Sequence, residues 1–428
     1  MNHNHRPRIV ITGLGAVSPL GLTAPEFWAG LQAGRSGISR ITQFDASALP
    51  CQIAGEVKDF DPKRYMDFKE ARRMSRCSQL AIATAREAMT DAGFSLGGFG
   101  ASSVASESAD PERVAVVFGT AIGGLEKVDE GIIALRGAGY NKISPFAVPS
   151  SVANMPAHHI SQSYHTLGPL NTIVTACASG TQSIGEAAEL IRRGAADVVI
   201  TGGVEATIRD FSLGGFASMR ALPLSFNDKP EKASRPFNRD REGFVYSEGC
   251  AVLVIEELQH ALRRGAQIYA EILGQASSSD AYHVAAPDPT AEGAVRAMRW
   301  ALIDAGLNPG DIDYINAHGT STPANDAGET LAIKKLFGEY AYSVPISSTK
   351  SMIGHPMGAA GALEAIACAL TIRDGVIHPT INYENPDPEC DLDYVPNTAR
   401  AASVRTTLSN SFGLGGQNAC LVLRKYEG

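Results

Sequence analysis

Short apolar runs alternate along this chain with longer stretches in which apolar positions recur every three to four residues. RIVITGLG (8–15), RVAVVFGT (113–120), DVVITGG (197–203) and GCAVLVIEEL (249–258) are continuous and rich in β-branched residues. That is the pattern of strands covered on both faces. PEFWAGLQAG (25–34), QLAIATAREAMTDAG (79–93) and the segment from Ser179 to its stop at Gly194 have helical periodicity. After a short helix, QHALRRGA (259–266), a second alternating set begins at IYAEILGQASS (268–278). It continues through a helix GAVRAMRWALIDAG (293–306), a strand before His318 and a helix from Gly358 to Leu370. It closes with strand pieces in RTTLSNSFGLGG (405–416) and NACLVLRK (418–425), while GFGASSVASESADPE (98–112) reads as an exposed loop. Alternation of this kind predicts an α/β protein with helices on both sides of sheets. Identity between the two sets is too weak to establish a duplication from pattern alone.

The chemistry concentrates in the turns. In NTIVTACASGTQSIGEAAELIRRG (171–194) a strand predicted over Thr172–Thr175 leads through small residues into a helix, which places the Cys177 thiol at a helix start. Unpaired N–H groups and the helix dipole favour negative charge there, so the expectation is a readily ionised nucleophile. A buried filler cysteine is the competing reading. Two histidines decide between them. His318 lies in YINAHGTSTPAND (314–326), and SSTKSMIGHPMGAAGALEAIACAL (347–370) carries Lys350 and His355. Both sit in small-residue turns next to periodic segments, where scaffolds carry function. NSFGLGGQNA (410–419) adds a glycine-rich turn able to aim amide donors at an oxyanion. Gly13-x-Gly15 mimics a dinucleotide fingerprint, but Ser18 and Pro19 stand where a close-packed helix start is required.

Taken in order, VTACASGT (174–181), GGVEA (202–206), EKASRPFNRDREGFVYSEG (231–249), SDAYH (279–283), NAHGTSTPAND (316–326) and STKSMIGH (348–355) make the chain resemble the elongating β-ketoacyl synthases, closest to the type II form. The resemblance implies a thiolase-like α/β fold of two similar halves in five layers, αβαβα, divided as 7–264 and 265–428. It assigns Cys177 as the nucleophile that takes an acyl chain from acyl carrier protein. It assigns His318 and His355 as donors to the malonyl enolate, with Lys350 as a charge organising the site, held by Glu329. The backbone N–H groups of Cys177 and Leu414 form the second oxyanion hole, Thr320 and Thr322 bind pantetheine, and Ile122 and Phe216 line the acyl pocket. Leu414 stands where relatives carry a phenylalanine gate, SFGFGG. No metal or redox cofactor is implied. Carrier docking falls on Lys69, Arg72, Arg73, Lys142 and Arg220, with Asn141 where type II relatives have another basic residue.

Composition narrows the rest. At 428 residues the chain exceeds one ordinary core. A net charge of −8 argues against general nucleic-acid binding. Against that background KRYMDFKEARRMSR (63–76) is locally basic, and helical spacing predicts Lys69, Arg72, Arg73 and Arg76 on one face, suited to an acidic partner. No apolar run reaches the length of a membrane span, and the polar start MNHNHRPR lacks a signal-peptide core. Seven cysteines without C-x-x-C pairs point to a reducing compartment, hence a cytoplasmic enzyme, and the resemblance implies a homodimer. A polyketide ketosynthase would use the same residues. A thiolase would place a second reactive cysteine at His355, and a non-catalytic chain-length partner would lack Cys177.

Overall fold

A computed structural model describes residues 6–94 and 109–428, so residues 98–108 of the loop predicted over 98–112 lie outside the described residues. The N-terminal half supplies β1 (Ile9–Val17), β2 (Val114–Gly119), β3 (Leu170–Ile173), β4 (Val198–Glu205) and β5 (Gly249–Glu257). The C-terminal half supplies β6 (Ala270–Ser279), β7 (Tyr314–Asn316), β8 (Ile346–Ser347), β9 (Thr406–Gly413) and β10 (Gln417–Arg424). From the centre outward the order is β1-β5-β4-β2-β3 in one half and β6-β10-β9-β7-β8 in the other. Both halves therefore read first, fifth, fourth, second, third. The directions match too. The first two pairings of each half are antiparallel and the outer two are parallel. The duplication that the residues conceal is explicit in the topology. A short antiparallel contact, Val10 opposite Glu271 and Ile11 opposite Ala270, joins the two sheets edge to edge.

Helix Arg76–Asp91 covers the outer face of the first sheet and helix Glu292–Ala305 that of the second. Between the sheets lie helices Ser179–Arg192 and Ala360–Asp374, which completes αβαβα. Helix Ala360–Asp374 is buried on every side from Ala360 to Ile372, as a helix sandwiched by two sheets must be, with Glu364 its one charged residue in that stretch. The glycines of the false fingerprint have a packing role. A Cβ on Gly13 or Gly15 would run into the Ala88 or Thr84 carbonyl of helix Arg76–Asp91. Likewise a Cβ on Gly180 would come within 2.8 Å of the Ala362 nitrogen, so the two central helices cross in near contact. That crossing brings the ends of both halves to one point.

Candidate active site

β3 ends at Ile173, two residues earlier than predicted. The Thr175 N–H donates to Ser179 Oγ at 2.9 Å, and that hydroxyl lies 2.7 Å from the Ala176 carbonyl and 3.1 Å from that of Thr120. The local bonds close a turn in place of another strand residue. Ala176 takes a left-handed φ of 51°, a conformation costing about 1 kcal/mol or more outside glycine, and Cys177 follows in the 3₁₀ turn Ala176–Ala178. The thiol stands at the helix entrance as the sequence predicts, but the predicted easy ionisation does not follow. Burial pushes the Cys177 thiol up to about 11, against the pull of the Leu414 and Cys177 N–H groups and of Lys350. Desolvation outweighs the favourable field.

His318 comes two residues after β7. Its N–H and that of Gly319 each donate at 2.8 Å to Glu329, one oxygen apiece, and Asn410 Nδ2 donates to the same carboxylate at 3.1 Å. His355 follows the short helix Lys350–Ile353, and its backbone N–H donates to Val245 O at 2.7 Å. The two imidazoles meet edge to face with centroids 5.4 Å apart. Cys177 Sγ and one ring nitrogen from each histidine all lie within 4.8 Å of one another. Burial holds both histidines well below the usual range, and Lys350 pushes in the same direction. They are therefore neutral, each with one ring N–H to donate. Among the described residues, Nδ1 of His318 and both ring nitrogens of His355 are buried without a hydrogen-bond partner, as in a pair aimed at substrate.

The predicted pairing of Lys350 with Glu329 is corrected. Lys350, fully buried, pairs with Glu364 in the first turns of helix Ala360–Asp374, while Glu329 is occupied by the amides of the His318 turn. Fourteen residues separate Lys350 from Glu364, and the intervening turn folds the helix back beneath the ammonium. A thiol and two imidazoles are also a donor set that zinc accepts. Here the positive field of Lys350 on all three groups opposes a dication.

The trio lies in a cleft of about 440 Å³ that Arg220, Thr320, Thr322 and Leu414 also line. Both predicted oxyanion donors, the N–H groups of Cys177 and Leu414, favour charge on the sulfur. Leu414 shares an apolar cluster with Cys177, Phe216 and Met357, and Phe216 packs edge-on against Phe244 at 5.2 Å. Ile122 is half-buried and lies outside that cluster, although its neighbour Ala121 is inside. Thr320 and Thr322 share a 2.9 Å hydrogen bond, and Thr322 caps helix Pro323–Phe337. Sequence reasoning missed Phe244 and Phe412, whose rings stand edge-on to His355 and His318 at 5.4 and 5.7 Å. Each sits in a quoted motif, but an apolar residue there is indistinguishable from core.

The basic run is not one helix face. Helix Phe68–Arg72 ends at Arg73, and Ser75 caps a new helix at Arg76. Lys69, Arg72 and Arg73 stay outside, whereas Arg76 turns inward to grip the buried Glu248 at 2.7 and 2.8 Å. Arg73 lies over the Phe146 ring at 4.8 Å, which brings the run beside the segment carrying the exposed Lys142, and Arg220 stands at the cleft.

A duplicated fold whose halves meet around a cysteine and two neutral histidines can hold a group on sulfur beside paired N–H donors. Family models for the beta-ketoacyl synthase N-terminal and C-terminal domains match residues 6–261 and 269–384. The chain is 48% identical to 3-oxoacyl-[acyl-carrier-protein] synthase 2 of Synechocystis sp., over the full length of both. It is 50% identical to the protein of that name from Coxiella burnetii, over 98% of each chain. Among solved structures it resembles a β-ketoacyl synthase from Burkholderia phymatum at 35% identity, with a TM-score of 0.89 over 98% of this chain and 100% of that one. It also resembles a type II polyketide ketosynthase in complex with its acyl-carrier protein at 34% identity, with a TM-score of 0.90 over 99% and 100%. The chain belongs to the β-ketoacyl synthase family.

Proposed function

We propose that this protein elongates acyl chains on acyl carrier protein by decarboxylative condensation with malonyl-carrier, as a 3-oxoacyl-[acyl carrier protein] synthase of fatty acid synthesis. The observation that carries this reading is the meeting of Cys177, His318 and His355 within 4.8 Å, one from the first half and two from the second. Cys177 is mainly protonated at neutral pH, so its sulfur attacks the acyl-carrier thioester as the proton departs, and the carrier thiol leaves with a proton. The N–H groups of Cys177 and Leu414 hold the tetrahedral oxyanion. Malonyl-carrier then loses CO2, and the electron pair of the broken C–C bond becomes an enolate. His318 and His355 donate to its oxygen, where preorganised donors in a dry site are worth most. The enolate carbon attacks the Cys177 thioester, the C–S bond breaks with its electron pair on sulfur, and the leaving thiolate takes a proton from water to restore the thiol. Lys350 organises the field, and Thr320 with Thr322 hydrogen-bonds the pantetheine arm. Phe216 and Ile122 line the acyl channel, with Leu414 at its gate. No cofactor enters these steps.

The carrier docks on Lys69, Arg72, Arg73, Lys142 and Arg220. A second copy covers the open edge of β3, where Leu167, Leu170 and Val174 are exposed, together with Ile132, Ile133 and Val148. The halves divide at Arg264. A cytoplasmic location fits seven free, buried cysteines. Among the described residues no helix is long and apolar enough to cross a membrane. A polyketide ketosynthase would use the same trio. A solved type II polyketide neighbour matches at 34% identity, whereas full-length 3-oxoacyl synthases match at 48% and 50%, which favours fatty acid elongation.

The test is Cys177→Ala. Wild type incubated with acyl-carrier gains an acyl adduct by intact-protein mass spectrometry, and the variant gains none and makes no condensation product. The variant keeps malonyl-carrier decarboxylation. An adduct persisting on the variant would remove Cys177 as the nucleophile.

A further inference from the structure

The GGVEA motif contributes a residue to which nothing above gives a task. Glu205 closes β4, is fully buried and makes no salt bridge among the described residues. Its carboxylate instead collects the amides of two loops. One oxygen accepts from the N–H of Ile122 and of Gly123 and from Thr120 Oγ1, each at 3.3 Å. The other accepts from the N–H of Ala121 at 2.7 Å and of Gly358 at 3.2 Å. The first loop follows β2 and carries Ile122, and its Thr120 carbonyl also meets Ser179 of the nucleophile turn. The second follows His355 and carries Met357, which packs in one apolar cluster with Cys177 and Leu414. Only an acceptor can serve five donors, and a carboxylate is the side chain that offers acceptors on both oxygens. Burial pushes Glu205 up to about 7, and the four amides hold it back from rising further.

We propose that Glu205 is a positioning residue that sets the depth of the acyl channel, by locking the Thr120–Gly123 loop to the turn after His355. The inference rests on the condensing-enzyme reading above. On that reading Ile122 lines the acyl channel, so a long primer passes the first loop, whereas a short primer ends near the sulfur. The charge of Glu205 also opposes ionisation of Cys177, and so works against intrinsic thiol reactivity while it serves acyl binding. Glu205→Gln replaces one acceptor by an NH2 that faces amide donors, and it deletes the charge.

The experiment measures single-turnover acylation of Cys177 from carrier-bound primers of short, medium and long chain, beside alkylation by iodoacetamide at neutral pH. For Glu205→Gln, acylation by long primers falls at least tenfold and by short primers less than threefold, while alkylation is unchanged or faster. Glu205→Asp keeps the charge on a shorter stem and shows the same length-dependent loss, reduced in size, without faster alkylation. If Glu205→Gln does not fold, Glu205→Asp alone decides through the slope of its loss with primer length. Acylation reduced equally at every length in the variant that folds, or not reduced at all, overturns the proposal. Wild type that takes no acyl group from any primer would instead overturn the condensing-enzyme reading.

Discussion

The two halves share a strand order and divide the chemistry. In each, the third strand leads through a 3₁₀ turn into a buried central helix. The first half puts Cys177 in that turn, and the second puts His355 just ahead of its counterpart, Met357–Ala359. The loop after the second strand carries Ile122 in one half and His318 in the other. Each half also spends one buried carboxylate on the amides of that loop. Glu205 serves Ala121, Ile122 and Gly123, and Glu329 serves His318 and Gly319, both carboxyls lifted by burial to about 7. The scaffold is symmetric and the side chains are not. In the mechanism we propose, one half holds the acyl group and the other stabilises the carbanion equivalent that attacks it.

Substitutions in the second half test that division most severely. His318→Ala and His355→Ala each lower condensation by about a hundredfold to a thousandfold, the usual cost of losing one preorganised oxyanion donor. Acylation of Cys177, read by mass spectrometry, falls far less. An equal loss in both half-reactions would erase the division of labour.

Lys350 sharpens the comparison because its ammonium acts on groups from both halves. Lys350→Met leaves Glu364 buried without its partner and costs about 3–5 kcal/mol of stability. Lys350→Met combined with Glu364→Leu recovers most of that in thermal unfolding, yet stays impaired in acylation, since the field that favours the thiolate is gone. A double variant no more stable than the single one would mean the pair has other buried dependents.

Carrier docking precedes both half-reactions, so it should not discriminate between them. Reversing charge at Arg72 and Arg73 raises the apparent KM for acyl- and malonyl-carrier alike, by about tenfold at low salt and less as salt rises. The KM for acyl-CoA stays within twofold. Equal effects on carrier and CoA substrates would leave the run an ordinary solvated surface.

Leu414→Phe has the smallest expected effect and touches the channel alone. A ring fills the gate more completely than leucine, so acylation slows by about two- to fivefold for the longest primers and malonyl decarboxylation is unchanged. Parallel primer profiles for the two proteins would move chain selection deeper, to Phe216 and Ile122.

Much of this site was legible beforehand because its reactive groups sit in turns of small residues, where little competes to explain a thiol or an imidazole. Cys177, His318 and His355 converge as expected. What failed depended on distances that the residue order does not encode. Glu329 and Glu364 are both glutamates on helices of the second half, and only the fold shows which of them lies beneath Lys350. Arg76 keeps helical spacing with Arg73 on paper, but the Ser75 cap breaks the helix and turns it inward to Glu248. The helix-start position correctly suggested a favourable field at Cys177 without revealing how completely the sulfur is dried. The duplication was invisible in residue identities because strands buried on both faces accept any β-branched side chain, whereas strand order is retained.

The crossing of the two central helices has a bearing on how the chain becomes an enzyme at all. Thr181 on one helix hydrogen-bonds Ser411 of the other half at 2.7 Å, and a Cβ on Gly361 would collide with Thr181. Helix Ala360–Asp374 has no solvent face, so it has no stable resting place until both sheets stand on either side of it. The strands β9 and β10, which follow that helix in the chain, supply one of those walls. Contacts of such long sequence separation form late. Folding must therefore complete before the sulfur and the imidazoles come within reach of each other. A partly folded chain is not a weak condensing enzyme but an inert one, and condensation turnover doubles as a count of molecules that have finished folding.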